Sequence, residues 1–204
     1  MSTPLSQRAW KNVPQDALPG TGRTATDTKL VWLANEAITG YRPRMVHVGI
    51  GYDVHELVAG RKLVLGGVEI AHTKGLDGHS DADALMHAIT DAVLGAIGEV
   101  DIGHFFPNTD PRWRGAPSRI FLEEAAKQVK ARGGRIVNID ASLMAEAPKI
   151  FPHIVAMKAN IASALGVDPK KVGVKATTNE RLGFIGREEG IAAMAVASVD
   201  LPEG

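Results

Sequence analysis

From Met45 onward the chain switches repeatedly between two hydrophobic periods, and this alternation limits the fold more than any other feature. Side chains two apart share a face of a strand, and those three and four apart share a face of a helix. Residues 46–54 alternate Val46, Val48, Ile50 and Tyr52, which predicts a strand. Residues 62–65 and 68–70 are short apolar runs around Gly66-Gly67, a hairpin signal. Residues 80–97 carry Leu85, Met86, Ile89, Val93, Ala96 and Ile97 on one helical stripe. Ser80 is placed to cap that helix, Asp83 to complete a short capping box, and Gly98 to stop it. Further helices are predicted over 117–131 and 148–165, closed by Gly133-Gly134 and Gly166. Strands are predicted over 135–145, 172–177 and 191–201. The order implies an α+β domain, a mixed β-sheet with helices packed on one face.

The first 44 residues do not follow this pattern. They hold six basic and three acidic residues, and none of the seven histidines. Residues 12–28, rich in Pro, Gly, Thr and Asp, predict a flexible linker, and 29–39 one short helix. Residues 1–44 are therefore expected to be an N-terminal extension, and 45–204 the catalytic domain. The extension lacks the apolar run of a secretory signal.

Composition excludes several kinds of chemistry. Without cysteine there is no disulfide, thiolate zinc site, iron–sulfur cluster or cysteine nucleophile. Lys+Arg 23 against Asp+Glu 23 argues against a nucleic-acid partner, which requires a basic surface. No apolar run approaches membrane-span length. Any metal ligands must come from His, Asp, Glu or solvent.

Asp53-Val54-His55 lies in the first predicted strand, where residues two apart point to one side. A carboxylate oxygen and an imidazole nitrogen can therefore meet at a metal, with a chance pairing as the alternative. His87 lies off the apolar stripe of its helix, with Asp83 and Asp91 four residues to either side. A carboxylate one turn away can hold the second nitrogen of a metal-bound histidine; the other reading is ordinary charge on a solvated face. With Asp53 and His55, His87 would make three protein ligands, which leaves zinc an open position.

Three loops hold further candidates. His79 and Ser80 sit just ahead of the 80–97 helix, where backbone N–H groups favour an anion; a Gly78 turn with a Ser80 cap is the alternative. Residues 101–111 have no period: Phe105 and Phe106 either anchor the loop or line a pocket, and Asp101 either binds a hydroxyl or serves the turn. After the 172–177 strand come Thr177, Thr178, Asn179 and Glu180. Their hydroxyls and N–H groups suit a phosphate or ribose, and Glu180 a hard metal, unless this is only a polar turn. No phosphate-loop or dinucleotide glycine motif is present.

In order along the chain stand Gly51-Tyr-Asp-Val-His, Gly66-Gly-Val, Lys74-Gly-Leu, His79-Ser-Asp-Ala-Asp, His87-Ala-Ile-Thr-Asp, Asp101-Ile-Gly, Phe106-Pro-Asn-Thr-Asp-Pro, Ala147-Pro-Lys and Lys175-Ala-Thr-Thr-Asn-Glu-Arg-Leu-Gly-Phe. Together they resemble the methylerythritol cyclodiphosphate synthases of non-mevalonate isoprenoid biosynthesis, over residues 45–201. The resemblance implies a homotrimer of α+β subunits with active sites between subunits. It implies a metal-dependent phosphorus–oxygen lyase acting on 4-diphosphocytidyl-2-C-methyl-D-erythritol 2-phosphate. The products would be 2-C-methyl-D-erythritol 2,4-cyclodiphosphate and CMP.

By matching position, Asp53, His55 and His87 are implied as zinc ligands. Glu180 is implied near a second ion, Mg²⁺ or Mn²⁺. His79 and Thr178 would steady the transferring phosphate, and Asp101 the methylerythritol hydroxyls. Ser80, Asp91, Gly103, Phe106, Asp110 and Asn179 are further implied substrate positions. Ala145, Pro148, Lys149, Ile150, Ala176 and Thr177, with Thr178, would form the cytidine pocket. Phe184 and Arg187 would face a central cavity that holds an isoprenoid diphosphate. Asn108 and Asn179 stand where Asp and Thr are as readily expected. A bacterial cytoplasmic enzyme is implied, rather than a plastid one, with no membrane partner. Two other readings are a metal-dependent phosphohydrolase, with water at the open zinc position, and a non-catalytic trimer that binds isoprenoid diphosphates.

Overall fold

The structure, a computed structural model, describes residues 44–203. The expected linker 12–28 and helix 29–39 lie outside the described residues. The described chain runs β1 (Arg44–Ala59), β2 (Leu63–Leu65), β3 (Val68–Ile70), β4 (Lys74–Leu76), α1 (Ala84–Ala96), α2 (Ile102–Phe105), α3 (Arg119–Ala131), β5 (Arg135–Met144), α4 (Ile154–Leu165), β6 (Val172–Thr177), α5 (Gly183–Gly186) and β7 (Gly190–Pro202). Five strands form one sheet in the order β4-β1-β7-β5-β6. Only β5 and β6 pair in parallel, so the sheet is mixed, as the order of elements implies. The separate β2–β3 hairpin turns at Gly66 and Gly67, whose φ of +57° and +69° suit a two-residue hairpin loop. Among the described residues, no helix is long and apolar enough to cross a membrane.

One face of the sheet carries the core. Alternate residues of β5 and β7, including Ile139, Ala141, Leu143, Ala193, Ala195 and Val199, are buried in one cluster with α1, α3 and α4. The corresponding face of β1 is Gly49 and Gly51. A Cβ on Gly49 would overlap backbone atoms of Ala92 and Ala96, and one on Gly51 the carbonyl oxygen of Ala88. Ala88, Ala92 and Ala96 form a buried stripe of small residues four apart on α1. Helix and strand therefore meet nearly backbone to backbone. The alternating Val46, Val48, Ile50 and Tyr52, which signal the strand, lie on the opposite face, 51% to 66% exposed.

Several boundaries differ from the sequence reading. The first helix begins at Ala84, not residue 80, and its N-cap is Asp83, not Ser80. The fully buried Asp83 carboxylate accepts from Met86 N at 3.0 Å and from the hairpin amides Gly66 N at 2.9 Å and Gly67 N at 2.6 Å. One short acid thus caps a helix and ties a hairpin to it. Burial pushes its pKa up to about 6, against the three N–H donors that favour the carboxylate. The expected 117–131 helix begins at Arg119, and the expected 148–165 helix opens with a 3₁₀ turn (Phe151–His153) before α4. Strand β4 and the turns α2 and α5 arise in segments too short to show a period.

At the far end of the sheet, Asp200 of β7 is 5% exposed between Arg44 Nε at 3.0 Å and Arg135 Nε at 2.6 Å. Burial opposes its ionisation, but the hydrogen bonds and charges of the two arginines prevail and hold its pKa below the ordinary carboxylate value. A depressed acid stabilises the fold above its unfolded pKa and loses that effect as pH falls through the folded value. Asp200→Asn should therefore unfold at lower temperature than the parent at pH 7. The gap should close as melting curves are taken down through pH 4. Gly51→Ala should cost about 3 kcal/mol or more in urea unfolding, because backbone leaves no room for the methyl.

Candidate metal centre and adjoining cavity

Asp53 and His55 leave β1 on the same side as Gly49 and Gly51, towards α1. The backbone contact that seats α1 there brings His87 over them. Asp53 Oδ2 lies 3.0 Å from both His55 Nε2 and His87 Nδ1, and the two nitrogens are 3.2 Å apart. A tetrahedral zinc ion with ligands at 2.0–2.1 Å sets its donors about 3.3 Å apart, so oxygen and both nitrogens fit three corners. His55 Nδ1 lies 2.6 Å from the carbonyl oxygen of Asp77. That oxygen only accepts, so Nδ1 carries a proton, and in the neutral ring Nε2 presents its lone pair to the centre.

Burial opposes the charge on Asp53, but His55 and His87, when their rings carry a proton towards it in place of a metal, donate hydrogen bonds and positive charge that hold its pKa well below the usual carboxylate range. Burial also works against the imidazolium of His55, and the hydrogen bond and charge of Asp53 overcome it and raise the pKa. The centre is an anionic oxygen held among imidazoles, a hard and borderline donor set for a divalent cation.

The second nitrogen of His87 does not meet Asp83 or Asp91, contrary to the sequence reading. Its Nε2 is 2.7 Å from Ser118 Oγ and 3.2 Å from Ser80 Oγ. Asp83 is spent on the cap. Asp91 accepts from Ile102 N at 2.8 Å and so fastens the start of α2, with burial raising its pKa. The proposed anion cradle at the helix start is absent as well, since the Asp83 carboxylate occupies it.

A cavity of about 470 Å³ opens beside the centre. It is lined by the polar His55, His79, Ser80 and His87, and by Ile102, Gly103, Phe106, Trp113 and Phe121. Phe106 packs 4.5 Å from Phe121 and 5.0 Å from Trp113, ring centre to ring centre. Phe106 is thus a pocket wall, one of the two roles left open for it. A groove of about 610 Å³ between α3 and α4 is larger but contains none of the candidate residues. The segment 110–118 is laced to His79 and Asp81: His79 Nε2 lies 3.1 Å from Asp110 O, Gly115 N donates to His79 O at 2.8 Å, and Asp81 N donates to Ala116 O at 3.0 Å. Asp101 caps α2, accepting from His104 N at 3.2 Å. The Asp110 carboxylate is held by Arg112.

The other candidates gather elsewhere. Ala145 N donates to Thr177 O at 3.0 Å, which joins Ala145 to the end of β6; Ala145 and Ile150 are both buried. Thr178 Oγ1 donates to Glu180 Oε1 at 2.9 Å, and Glu146 Oε2 accepts from Asn179 N at 3.2 Å. Val54, Ala192, Met144 and Thr177 form one row across β1, β7, β5 and β6. Three strand spacings separate its ends, roughly 14 Å. Within one chain the Thr178–Glu180 turn therefore does not close on the Asp53 centre. Arg187 donates to both carboxylate oxygens of Glu189 at 2.9 Å, while Phe184 is 41% exposed. Sequence reading missed Asp81, Ser118, Trp113, Phe121 and Glu146. Of these only Ser118 gave a signal, as a serine at a helix start.

The YgbB family pattern matches residues 46–200. The chain belongs to the YgbB family. Over 153 residues it is 61% identical to the 2-C-methyl-D-erythritol 2,4-cyclodiphosphate synthase of Dechloromonas aromatica, covering 75% of this chain and 96% of that protein. It is 48% identical over 200 residues to the bifunctional enzyme IspD/IspF of Mesorhizobium japonicum, covering 95% of this chain and 48% of that protein. The chain spans less than half the length of the bifunctional relatives it matches. Among solved structures, the IspF–CDP complex of Plasmodium falciparum superposes with a TM-score of 0.68 at 33% identity, over 78% of this chain and 97% of that one. A structure of 2C-methyl-D-erythritol-2,4-cyclodiphosphate synthase superposes with a TM-score of 0.69 at 39% identity, over 74% of this chain and 99% of that one. The α+β reading of the sequence agrees with these structures.

His87→Ala should abolish metal retention while leaving the far-ultraviolet circular dichroism unchanged, because α1 is held by its alanine stripe and by Asp83. Elemental analysis after dialysis checks this. Full metal content in the variant would remove His87 from the ligand set.

Proposed function

We propose that this chain is a cyclodiphosphate synthase. It would convert 4-diphosphocytidyl-2-C-methyl-D-erythritol 2-phosphate to 2-C-methyl-D-erythritol 2,4-cyclodiphosphate and CMP. The observation that carries this reading is the convergence of Asp53, His55 and His87 at one end of a cavity with an aromatic wall, in a chain of this family. In the reaction an oxygen of the substrate's 2-phosphate attacks the phosphorus nearer the sugar alcohol. A P–O bond forms, the bond to the CMP oxygen breaks, and CMP leaves with that electron pair. A phosphomonoester is largely dianionic at pH 7, so no strong base is needed.

The donor set fits zinc at Asp53, His55 and His87. The single exposed carboxylate of Glu180 suits Mg²⁺ or Mn²⁺, which retains most of its waters. Bound there, such ions supply positive charge that lowers the repulsion between the two phosphates. The protein's own part is positioning. His79 and Ser80, on the cavity wall, and Thr178 orient the phosphates. Asp101, Gly103 and Phe106 hold the methylerythritol end. Ala145, Pro148, Lys149 and Ile150, with Ala176, Thr177 and Asn179, receive the cytidine. Bending one molecule between these groups contributes on the order of 7–11 kcal/mol through proximity.

A homotrimer with the site between subunits is part of this proposal. Two features support it: the roughly 14 Å between the centre and the Thr178 turn within one chain, and the exposed Val46–Val48–Ile50–Tyr52 face, continued by Met194 and Val196. Phe184 and Arg187 are proposed for an isoprenoid diphosphate, which would displace the Arg187–Glu189 ion pair. The aligned length of 200 residues exceeds what residues 45–204 can supply. We therefore take residues 1–44 as counterpart to sequence that precedes the synthase region in bifunctional relatives.

Incubation with the cytidine substrate and Mg²⁺, followed by phosphorus NMR, should show a cyclic diphosphate and CMP. A linear phosphate product would instead identify a phosphohydrolase. His87→Ala and Thr178→Ala should each be inactive alone. Unfolded together and reassembled, they should recover about a quarter of parental activity, because random mixing leaves that share of sites intact on both sides. No recovery would place the whole site within one subunit.

A further inference from the structure

Ser118 stands where a serine ordinarily caps a helix, at the start of α3. Its backbone is already helical, at φ −63° and ψ −12°, and its side chain makes no capping hydrogen bond. A usual N-cap serine has extended backbone and turns its oxygen to an amide of the first turn. This hydroxyl is instead fully buried and turned the other way, between Asp81 and His87. Asp81 Oδ1 also accepts from Ser118 N at 3.1 Å, which fixes the serine against the acid.

The donors and acceptors in this chain admit one direction. The carboxylate of Asp81 only accepts, so the Ser118 hydroxyl proton goes to it. Ser118 Oγ then has only lone pairs to offer His87 Nε2 at 2.7 Å, and Nε2 must carry a proton. Ser80 Oγ takes the amide proton of Ala82 at 3.1 Å and lies 3.2 Å from the same nitrogen, so it too can receive the imidazole N–H. In the neutral ring Nδ1, the atom 3.0 Å from Asp53 Oδ2, then holds the lone pair.

We propose that Asp81 and Ser118 are a positioning pair for His87. They set its tautomer and ring angle so that Nδ1 presents its lone pair to a divalent cation shared with Asp53 and His55. The inference rests on the metal-centre reading above and deepens it. Neither residue touches the cation or the substrate. The pair also explains why α3 forgoes its cap, and through Asp81 it joins the start of that helix to His79 and Ser80, which line the cavity.

The test uses the full chain stripped of metal, with cobalt(II) as probe, followed by its visible absorption in competition with a chelator. Ser118→Ala should weaken cobalt binding roughly 10- to 100-fold. Ser118→Thr, which keeps the hydroxyl, should bind within a few-fold of the parent. In the metal-free protein, nitrogen-15 spectra of the His87 ring should show the proton on Nε2 in the parent and in Ser118→Thr. It should move towards Nδ1 in Ser118→Ala, where Asp53 can receive it. Circular dichroism confirms that each variant is folded. If Ser118→Ala does not fold, Asp81→Asn takes its place, with the same tautomer shift expected. Unchanged affinity and unchanged tautomer in the variant overturn the pairing. So does equal loss in Ser118→Ala and Ser118→Thr, which would mean packing alone. Failure of the parent to bind cobalt would strike the metal centre instead, and the ring spectra would still decide the role of Ser118.

Discussion

The contact between the bare inner face of β1 and the alanine stripe of α1 is the constraint on which the rest of the molecule depends. Strand and helix normally meet through side chains, which hold the backbones well apart. Here Gly49 and Gly51 contribute none, and Ala88, Ala92 and Ala96 contribute only methyls. The helix settles onto the strand, and that closeness allows His87 Nδ1 to reach Asp53 Oδ2 at 3.0 Å. Longer side chains at the contact would lift the helix and open the triad. The same choice has a cost on the other face. A strand with glycine inside must find its apolar character outside, and Val46, Val48, Ile50 and Tyr52 are left in solvent in a single chain. Exposed apolar area of that extent marks an interaction surface.

Around this contact the acidic residues divide their work by geometry. Asp83 and Asp81 are two apart, yet one turns into the hairpin and the helix cap and the other towards Ser118. Asp91, one turn beyond His87, fastens the α2 segment, and Asp101 caps that segment. Four carboxylates that look interchangeable in sequence therefore hold four different pieces of backbone. Only Asp53 is left free to face the centre, and its two imidazole neighbours keep it ionised despite burial.

The cavity follows from the same lacing. Segment 110–118 is tied to His79 and Asp81 by backbone hydrogen bonds, and this brings Trp113 and the neighbouring Phe121 against Phe106. The result is a pocket whose lining joins the polar groups of the centre to an aromatic cluster. The Thr178–Glu180 turn, by contrast, stands three strands away along one row of the sheet.

Much of this was legible in the sequence. Periodicity located β1, β6 and β7, the glycine pair located the hairpin, and the order of elements implied an α+β fold with a mixed sheet. The spacing of Asp53 and His55 was enough to put both on one face, because strand geometry has a period of two. The family resemblance named His87 with them, but no local rule says which strand a helix will lie against, so only the tertiary structure shows how the three meet. Helix starts were misplaced for a related reason. Ser80 and Asp83 are both good caps by type, and only the nearness of the Gly66-Gly67 amides decides that Asp83 serves. The partner of His87 was misjudged because i+4 spacing names neighbours along one helix, whereas Ser118 arrives from a segment thirty-one residues away. Sequence by itself determined which atoms were available to chemistry: imidazole and carboxylate, with no thiol. Tertiary structure decided which of them converge, because convergence depends on how closely two backbones approach, and here two glycines set that distance.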